Sequence, residues 1–399
     1  MKIDDAVILV GGLGSRLGKI TKKTPKPLVL IDSNRFLDFL LTKIIKYNFK
    51  KIYLLCSYKK EIFFKLYHNK IIHNSKIICI DEGNRKGTGG ALYKLKKKIK
   101  KNFLLLNGDT YFDINLEHLI SRNSSRYDAI LALTHKKNSI NNKLLTNLKI
   151  SKNNILTYSN KESVLMNGGI YILSQKLLTK IENKNISLEN DILDKLILNK
   201  KVKAYFYDEK FIDIGSNLKL NYLKKNPQLL KNKVFFLDRD GVVNDDKGYV
   251  LNYKQFIFLK GVKSAIRYLN TKKYLVILLT NQACIGKNLL TEKKLEIIHK
   301  KMKSSIYNSN KGIIDDIFYS PYYKYSLKKK YRLNKFDRKP NIGMFQKAFK
   351  KWNVNIEKSL FVGDKNTDMI AANKSKIKFH LKKNISLYNQ VREIINNEK

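Results

Sequence analysis

Ala6-Val7-Ile8-Leu9-Val10-Gly11-Gly12-Leu13-Gly14-Ser15-Arg16-Leu17 is a short apolar run that breaks into glycines and then presents an arginine. An unbroken apolar run of this length suits a strand buried on both faces of a parallel sheet, with a functional loop at its C-terminal end. Val234-Phe235-Phe236-Leu237-Asp238-Arg239-Asp240-Gly241-Val242-Val243-Asn244 has the same build, with carboxylates where the first has glycines. Strand-like runs follow each stretch, at 51–56, 77–80 and 103–106 after the first and at 275–279 and 359–362 after the second. They alternate with helix-like segments, which predicts α/β sheets in both halves and two Rossmann-like domains. Residues 216–233 are polar and Lys-rich, with Pro227 in their middle. The boundary is therefore expected near residue 230, with domains at 1–225 and 232–399. The halves carry different motifs and no internal repeat.

The chain's 399 residues exceed one typical domain, and 43% apolar with 11% aromatic residues are enough for real cores. A net charge of +47 points by itself to nucleic acid or an anionic membrane surface. Lys, Asn, Ile, Tyr and Phe are all abundant, however, and Gly and Pro are few; residues with AT-rich codons share this bias. The Lys runs at 96–98 and 328–330 lack interleaved stacking aromatics. The charge is read as compositional, with no nucleic-acid or membrane partner expected, although phosphorylated substrates gain from a positive field. Cys56, Cys79 and Cys284 are odd in number, far apart in sequence and match no ligand spacing, which suits a reducing cytoplasm. No signal peptide is expected, and no run approaches the ~18 apolar residues of a membrane-spanning helix.

The first glycine loop lets backbone N–H groups approach phosphate, and Arg16 adds a fork for its oxygens. Thr24-Pro25-Lys26-Pro27-Leu28 follows at short distance, where two prolines fix the direction of Lys26. Asn107-Gly108-Asp109 ends an apolar strand, and Phe211-Ile212-Asp213-Ile214-Gly215 offers a second carboxylate. Asp109 and Asp213 together make a Mg²⁺ site credible.

These residues resemble the sugar-1-phosphate nucleotidyltransferase family. The resemblance spans about residues 3–222 and includes Gly87-Thr88-Gly89-Gly90 and Asn167-Gly168-Gly169-Ile170-Tyr171. Glu82 before the Gly87 motif draws the likeness toward heptose-1-phosphate guanylyltransferases. The resemblance implies in-line attack of the sugar phosphate on the α-phosphorus of GTP, with pyrophosphate leaving. It places the phosphates on Gly11, Gly12, Gly14, Arg16 and Lys26, and Mg²⁺ on Asp109 and Asp213. Gly87, Thr88 and Asn107 would line the substrate, and Asn167 and Gly168 would face the sugar. Glu189 and Asp191 either join that pocket or cap a helix start. A carboxylate at Glu82 has only acceptors, which suits the adjacent N1–H and N2–H donors of guanine.

In the second half, Asp238 and Asp240 stand two residues apart at a strand end, so one can attack phosphorus while the other serves as acid and base. Thr280 and Asn281 end a second strand with a hydroxyl and an amide; Arg338 and Lys339 supply cations. Asp364, in Gly363-Asp364-Lys365-Asn366-Thr367-Asp368, can complete a Mg²⁺ site. This order resembles the haloacid-dehalogenase-like phosphatases over about residues 233–380. Within them the likeness is to the branch of heptose-bisphosphate and histidinol-phosphate phosphatases.

The resemblance implies Asp238 as nucleophile and Asp240 as acid/base. Mg²⁺ would lie on Asp238, Asp364 and the Asp240 carbonyl, and Lys339 and Thr280 on the phosphoryl group. Arg338, Asn281 and Lys365 would contact substrate. Few residues separate Asn244 from Thr280, so no large cap is expected. Two departures stand out. Ala283-Cys284-Ile285-Gly286-Lys287-Asn288 replaces the branch's Ser-Gly-Ile-Ala-Arg-Gly. Its structural zinc ligands are also missing: Ser320-Pro321-Tyr322 and Lys335-Phe336-Asp337 stand in their place, so no structural zinc is expected. Packing by Tyr319, Tyr322, Tyr323 and Phe336 is the expected substitute.

The two halves explain each other, since a phosphatase acting on a heptose 1,7-bisphosphate leaves the heptose 1-phosphate that a guanylyltransferase consumes. The same chemistry on another sugar or base is the runner-up, and a nucleic-acid-binding protein is a third reading. A homo-oligomer stays open.

Overall fold

The computed structural model describes residues 3–47, 49–72, 75–135, 147–161, 163–332 and 336–398. The chain divides into two compact units, Met1–Leu229 and Leu230–Lys399.

In the first unit the opening apolar run forms the strand Asp5–Leu9, with Ala6, Val7 and Ile8 fully buried. It lies at the middle of an eight-stranded sheet, parallel to Lys51–Cys56 on one side and Phe103–Asn107 on the other. Ser75–Asp81 continues the parallel part. Leu165–Leu173 then runs antiparallel beside Phe103–Asn107 and carries Ala129–His135 on its far side, with Val202–Phe206 parallel to the latter. The pairing of Leu165–Leu173 with Ala129–His135 shifts between Asn167 and Tyr171, and Gly169 there has φ 71°. The Asn-Gly-Gly sequence is thus a β-bulge, a device that turns side chains out of the ladder.

The second unit holds five parallel strands in the spatial order Asp316–Ser320, Leu275–Asn281, Val234–Leu237, Leu360–Gly363 and Lys378–Leu381. The first strand of the unit is central, and the chain winds outward to both sides of it, as in a doubly wound fold. Apolar faces of the helices Val262–Thr271, Glu292–Asn310 and Leu387–Asn397 close the core over Phe235, Val276, Leu278 and Val362. From Asn244 to Thr280 the described chain forms a loop, a short turn at Tyr253–Gln255, the helix Val262–Thr271 and the next strand, with no cap layer. Among the described residues no helix is long and apolar enough to cross a membrane.

Candidate active sites

In the first unit the site begins where Asp5–Leu9 runs out. Gly14 has φ 63°, and an added Cβ there would crowd Thr21 and Lys26. Thr21 Oγ1 donates to the Gly14 carbonyl at 3.0 Å, which folds the loop back on the two-proline segment and buries Lys26 to 6% exposure. Gly12 is open, with nothing within 4 Å of an added Cβ, as close approach of a phosphate requires. Gly11 is different: a Cβ there would stand 2.6 Å from the Glu82 carboxylate. Glu82 is itself anchored through its N–H to the Cys56 carbonyl at 2.9 Å. Burial, followed by the charge of Asp81, pushes its carboxyl up to about 7.

The two expected Mg²⁺ ligands meet on one ladder. Strand Thr110–Phe112 pairs antiparallel with Phe211–Asp213, setting Asp213 opposite Thr110, and Ile214 N–H donates to the Asp109 carbonyl at 3.0 Å. Each carboxylate has its own lysine: Lys26 Nζ is 2.5 Å from Asp109, and Lys219 is ion-paired with Asp213. Burial alone would raise the Asp109 carboxyl, but the Lys26 charge and hydrogen bond, with Thr110 and Arg16, hold it below its ordinary value. Arg16 is exposed and reaches across to the Asp213 turn, its guanidinium 3.6 Å from the Cβ position of Gly215. Sequence reasoning missed Lys219, which carries no motif and is placed by the helix Asn217–Lys225 behind the Ser216 cap.

A buried hydrogen-bond chain forms the adjoining wall. Asn167 Nδ2 donates to Tyr171 Oη at 2.7 Å, and its Oδ1 accepts from Gly169 N–H at 3.0 Å. Tyr171 donates to Glu189 Oε1 at 3.2 Å, and Thr88 Oγ1 donates to Glu189 Oε2 at 2.8 Å. Thr88 and Gly87, expected on the substrate, are thus occupied in a joint: Gly89 and Gly90 N–H groups donate to the Ile186 carbonyl, and a Cβ on Gly87 would run into the same carbonyl. Gly168 is likewise pressed by the Phe112 ring and the Ala132 carbonyl. Asp191 is exposed and caps the segment through Ser187 N–H at 2.6 Å, while Glu189 is internal. Asn107 ends its strand with Oδ1 buried and without a hydrogen-bond partner, an acceptor left for something else.

In the second unit Asp238, Thr280 and Asp364 stand at the C-terminal ends of adjacent parallel strands. Asp238, Asp364 and Asp368 bring carboxylate oxygens within 4.8 Å of one another. Gly241, at φ 82°, makes room for them, since a Cβ there would overlap the Asp364 carboxylate. Lys339 Nζ enters this cluster fully buried, 2.9 Å from Asp238 and 2.6 Å from Asp368, and also donates to the Leu279 carbonyl at 2.7 Å. Burial pushes the Asp238 carboxyl up to about 7; Lys339 opposes this and Asp368 adds to it. Asp364 is raised by burial too, and its Oδ1 is buried without a hydrogen-bond partner. Three acids around one lysine, with an orphaned oxygen, fit a hard divalent cation.

The carboxylate of Asp240 turns elsewhere. It accepts from Arg239 at 2.6 and 2.8 Å, from Asn244 Nδ2 at 2.9 Å and from Gln282 Nε2 at 2.7 Å. The third carboxylate of the cluster is Asp368, not the side chain of Asp240; only the Asp240 carbonyl remains for the metal role expected of it. Thr280 Oγ1 is buried and accepts from Gln282 at 2.9 Å. Asn281, expected on the substrate, has both ends of its amide on the Lys339 backbone at 3.1 Å, so it braces the lysine. Lys365, also expected there, is paired with Asp246 at 2.7 Å. Arg338 is half-buried, donating to the Tyr322 carbonyl at 3.1 Å.

Where the branch would hold zinc, Ser320 is buried and Asp337 pairs with Lys347 at 2.6 Å, while Lys335 lies outside the described residues. The expected aromatic substitute is corrected in part. Phe336 is 50% exposed, and the segment is held instead by Glu292, which accepts from Tyr319 at 2.9 Å and from Tyr331 at 2.6 Å.

Known proteins match each unit separately. The nucleotidyl transferase family model matches residues 5–231, and the polynucleotide kinase 3 phosphatase model matches residues 233–388. A D-glycero-α-D-manno-heptose 1-phosphate guanylyltransferase of Campylobacter jejuni is 32% identical, covering 53% of this chain and 94% of its own. A D-glycero-β-D-manno-heptose-1,7-bisphosphate 7-phosphatase of Haemophilus ducreyi is 37% identical, covering 37% of this chain and 80% of its own. A phosphatase of Burkholderia mallei named for the α-anomer of that bisphosphate is 34% identical, covering 36% of this chain and 75% of its own.

Proposed function

Since the chain belongs to the nucleotidyl transferase family and continues as a haloacid-dehalogenase-like phosphatase, we propose that it makes a GDP-activated heptose in two successive steps. The carrying observation is that relatives of the two units act on consecutive compounds: the 7-phosphatase leaves a heptose 1-phosphate, and the guanylyltransferase is named for one. Phosphatase relatives are named for either anomer, the transferase relative for the α-anomer. A phosphatase supplying this transferase unit must leave the α-1-phosphate intact, so the α-bisphosphate is its substrate.

In the second unit the Asp238 carboxylate attacks phosphorus at O7, and the sugar alcohol leaves with a proton from Asp240. Water, deprotonated by Asp240, then releases phosphate from Asp238. Mg²⁺ on Asp238, Asp364 and the Asp240 carbonyl would neutralise the phosphoryl oxygens. Lys339, held by Asn281, stays aimed at the same group. In the first unit a phosphate oxygen of heptose 1-phosphate attacks the α-phosphorus of GTP, and pyrophosphate leaves. The open backbone at Gly12, with Lys26 and Arg16, holds the triphosphate; Asp109 and Asp213 would hold Mg²⁺. Glu82, set against Gly11, accepts from guanine N1–H and N2–H.

Supplying the α- or β-heptose 1,7-bisphosphate with each nucleoside triphosphate, and following phosphate, pyrophosphate and nucleotide-sugar by mass spectrometry, tests the reading. GDP-heptose from the α-anomer is expected. Phosphate release without any nucleotide-sugar from all four triphosphates would overturn it.

A further inference from the structure

Arg239 stands between the two acids at the strand end and is 1% exposed. A guanidinium keeps its charge, and burying one is costly unless it is paired. Its pairing is with Asp240: Nη2 is 2.6 and 2.8 Å from the two carboxylate oxygens, and Nε is 3.1 Å from one of them. The other arm, Nη1, reaches His299 Nε2 at 3.4 Å. Arginine only donates, so the imidazole accepts there and carries its proton on Nδ1. Burial, followed by the Arg239 charge, pushes the imidazole down to about 3, which leaves it a neutral acceptor near pH 7. The Phe256 ring covers the guanidinium from another side, its centroid 5.9 Å from Cζ.

His299 lies in the buried stripe of the helix Glu292–Asn310, with Leu295, Ile298, Met302 and Ile306. Packing alone calls for an aliphatic residue there. Among the described residues the polar contact that this histidine makes is the guanidinium. Its ring meets Tyr319 edge-on, centroids 6.2 Å apart, and Tyr319 is tied to Glu292 at 2.9 Å. A carboxylate left free beside the acids of Asp238, Asp364 and Asp368 would be drawn to a cation held by them and lost to proton transfer. We infer that Arg239 and His299 are positioning residues: Arg239 fixes the Asp240 carboxyl away from that cluster, as an acid and base, and His299 keeps the guanidinium in place. This rests on the acid/base role given to Asp240 above and deepens it. Proton transfer then depends on a helix residue placed to touch Arg239, not the reacting phosphate.

The experiment uses the full chain with p-nitrophenyl phosphate, whose aryl oxygen leaves without a proton. Forming the aspartyl phosphate then needs no acid, while its hydrolysis still needs Asp240 as base. Arg239→Lys keeps the charge and loses the fork. His299→Leu removes the acceptor, and His299→Gln offers an amide oxygen in its place. Arg239→Lys and His299→Leu should each give a burst of about one p-nitrophenolate per chain at the wild-type rate, then turnover lowered about 10²-fold and about tenfold respectively. His299→Gln should regain most of the loss. Circular dichroism checks folding, and the two His299 variants carry the test if Arg239→Lys does not fold. A burst slowed as much as turnover, or equal loss in His299→Gln and His299→Leu, overturns the positioning role. A wild type that turns over p-nitrophenyl phosphate but not the heptose 1,7-bisphosphate overturns the proposed function and leaves the positioning pair standing.

Discussion

The two active sites balance charge in opposite ways. In the first unit Asp109 and Asp213 are each matched by a lysine, Lys26 and Lys219. In the second, Asp238 and Asp368 share Lys339, and Asp364 beside them feels the charge of Lys365, itself paired with Asp246. A neutral pair of ion pairs has little reason to attract a cation before the substrate arrives. Triphosphate oxygens would compete for the lysines, free the carboxylates and bring Mg²⁺ with them, the usual arrangement for an ion that keeps substrate phosphates as ligands. Asp238, Asp364, Asp368 and Asp246 against Lys339 and Lys365 leave an uncompensated negative charge, which a bound divalent ion would relieve. The difference matches the chemistry. On the proposed function the transferase would handle a metal–nucleotide complex, whereas the phosphatase would need an ion beside its own nucleophile.

Breaking one site should spare the other. Asp238→Asn removes the nucleophile, so phosphate release should fall at least about 10³-fold while purified heptose 1-phosphate is still converted to the nucleotide-sugar. Asp109→Ala should do the reverse. Separate assays of phosphate and pyrophosphate check both, and a folded variant that lost both activities would falsify the two-site description.

The charge difference itself is tested by metal titration without nucleotide. Calorimetry should find one tight Mg²⁺ per chain, absent in Asp364→Asn, and a second ion only when GTP is present. Half-saturating Mg²⁺ should be about tenfold lower for the phosphatase than for the transferase. Two equal ions on the nucleotide-free protein would contradict the comparison.

Glu82 sharpens it further, because it is a buried acid of the first unit with no lysine among the contacts described. Its carboxyl is raised to about 7 by burial, so it is mostly neutral below that pH and charged above it. Only the charged form accepts from both guanine donors. Preference for GTP over UTP should therefore rise as pH goes from 6 to 8, and Glu82→Gln should lower it about tenfold and flatten the profile. The linkage sign is the same. The folded state binds this proton more tightly than the unfolded chain, whose value is 4.5, so unit 1 loses stability as pH rises from there through about 7. Denaturant midpoints of the two proteins should converge at pH 5. Gly11→Ala should mimic the substitution by pushing the carboxylate aside.

What the sequence revealed follows from how local the chemistry is. A candidate nucleophile or phosphate loop is written within a few residues after one apolar strand, so the placement of Asp238, Gly12, Asp109 and Asp364 beyond strand ends could be read directly. Partners brought together by the sheet could not. Thr88 meets Glu189 about a hundred residues away, and Lys219 and Asp368 find their partners only in three dimensions. Cys56 and Cys79, far apart in the chain, come to neighbouring strands, where Leu54 pairs with Cys79. Gly11 was legible as a glycine, but its reason, the Glu82 carboxylate, was not. Asn281 was legible as polar, yet whether it faces substrate or braces Lys339 depends on a contact across the sheet.

The smallest effect concerns how each unit keeps its loops. The first uses buried backbone joints such as Gly89 and Gly90 on Ile186, while the second fixes the segment around Ser320 through one carboxylate, Glu292, and two phenols. The Glu292 carboxyl is held below its ordinary value, chiefly by the Tyr331 hydrogen bond, against some burial and with help from Tyr319 and Lys330. A lowered carboxyl stabilises above its unfolded value, 4.5, and loses that stabilisation as pH falls through its folded one. Tyr331→Phe deletes one charge-assisted bond on a partly exposed acid, worth about 1 kcal/mol, a shift of a few degrees in the Tm of the second unit's transition. The shift should be present at pH 7 and shrink as pH falls below 4.5 toward the lowered folded value, since Glu292 no longer needs the phenol once protonated. A zinc-selective chelator should leave both the Tm and the phosphatase unchanged, because carboxylate and phenol here do the work that thiolates would do with a metal. A stoichiometric zinc whose removal moved Tm further than Tyr331→Phe would show that the loop is held by other ligands.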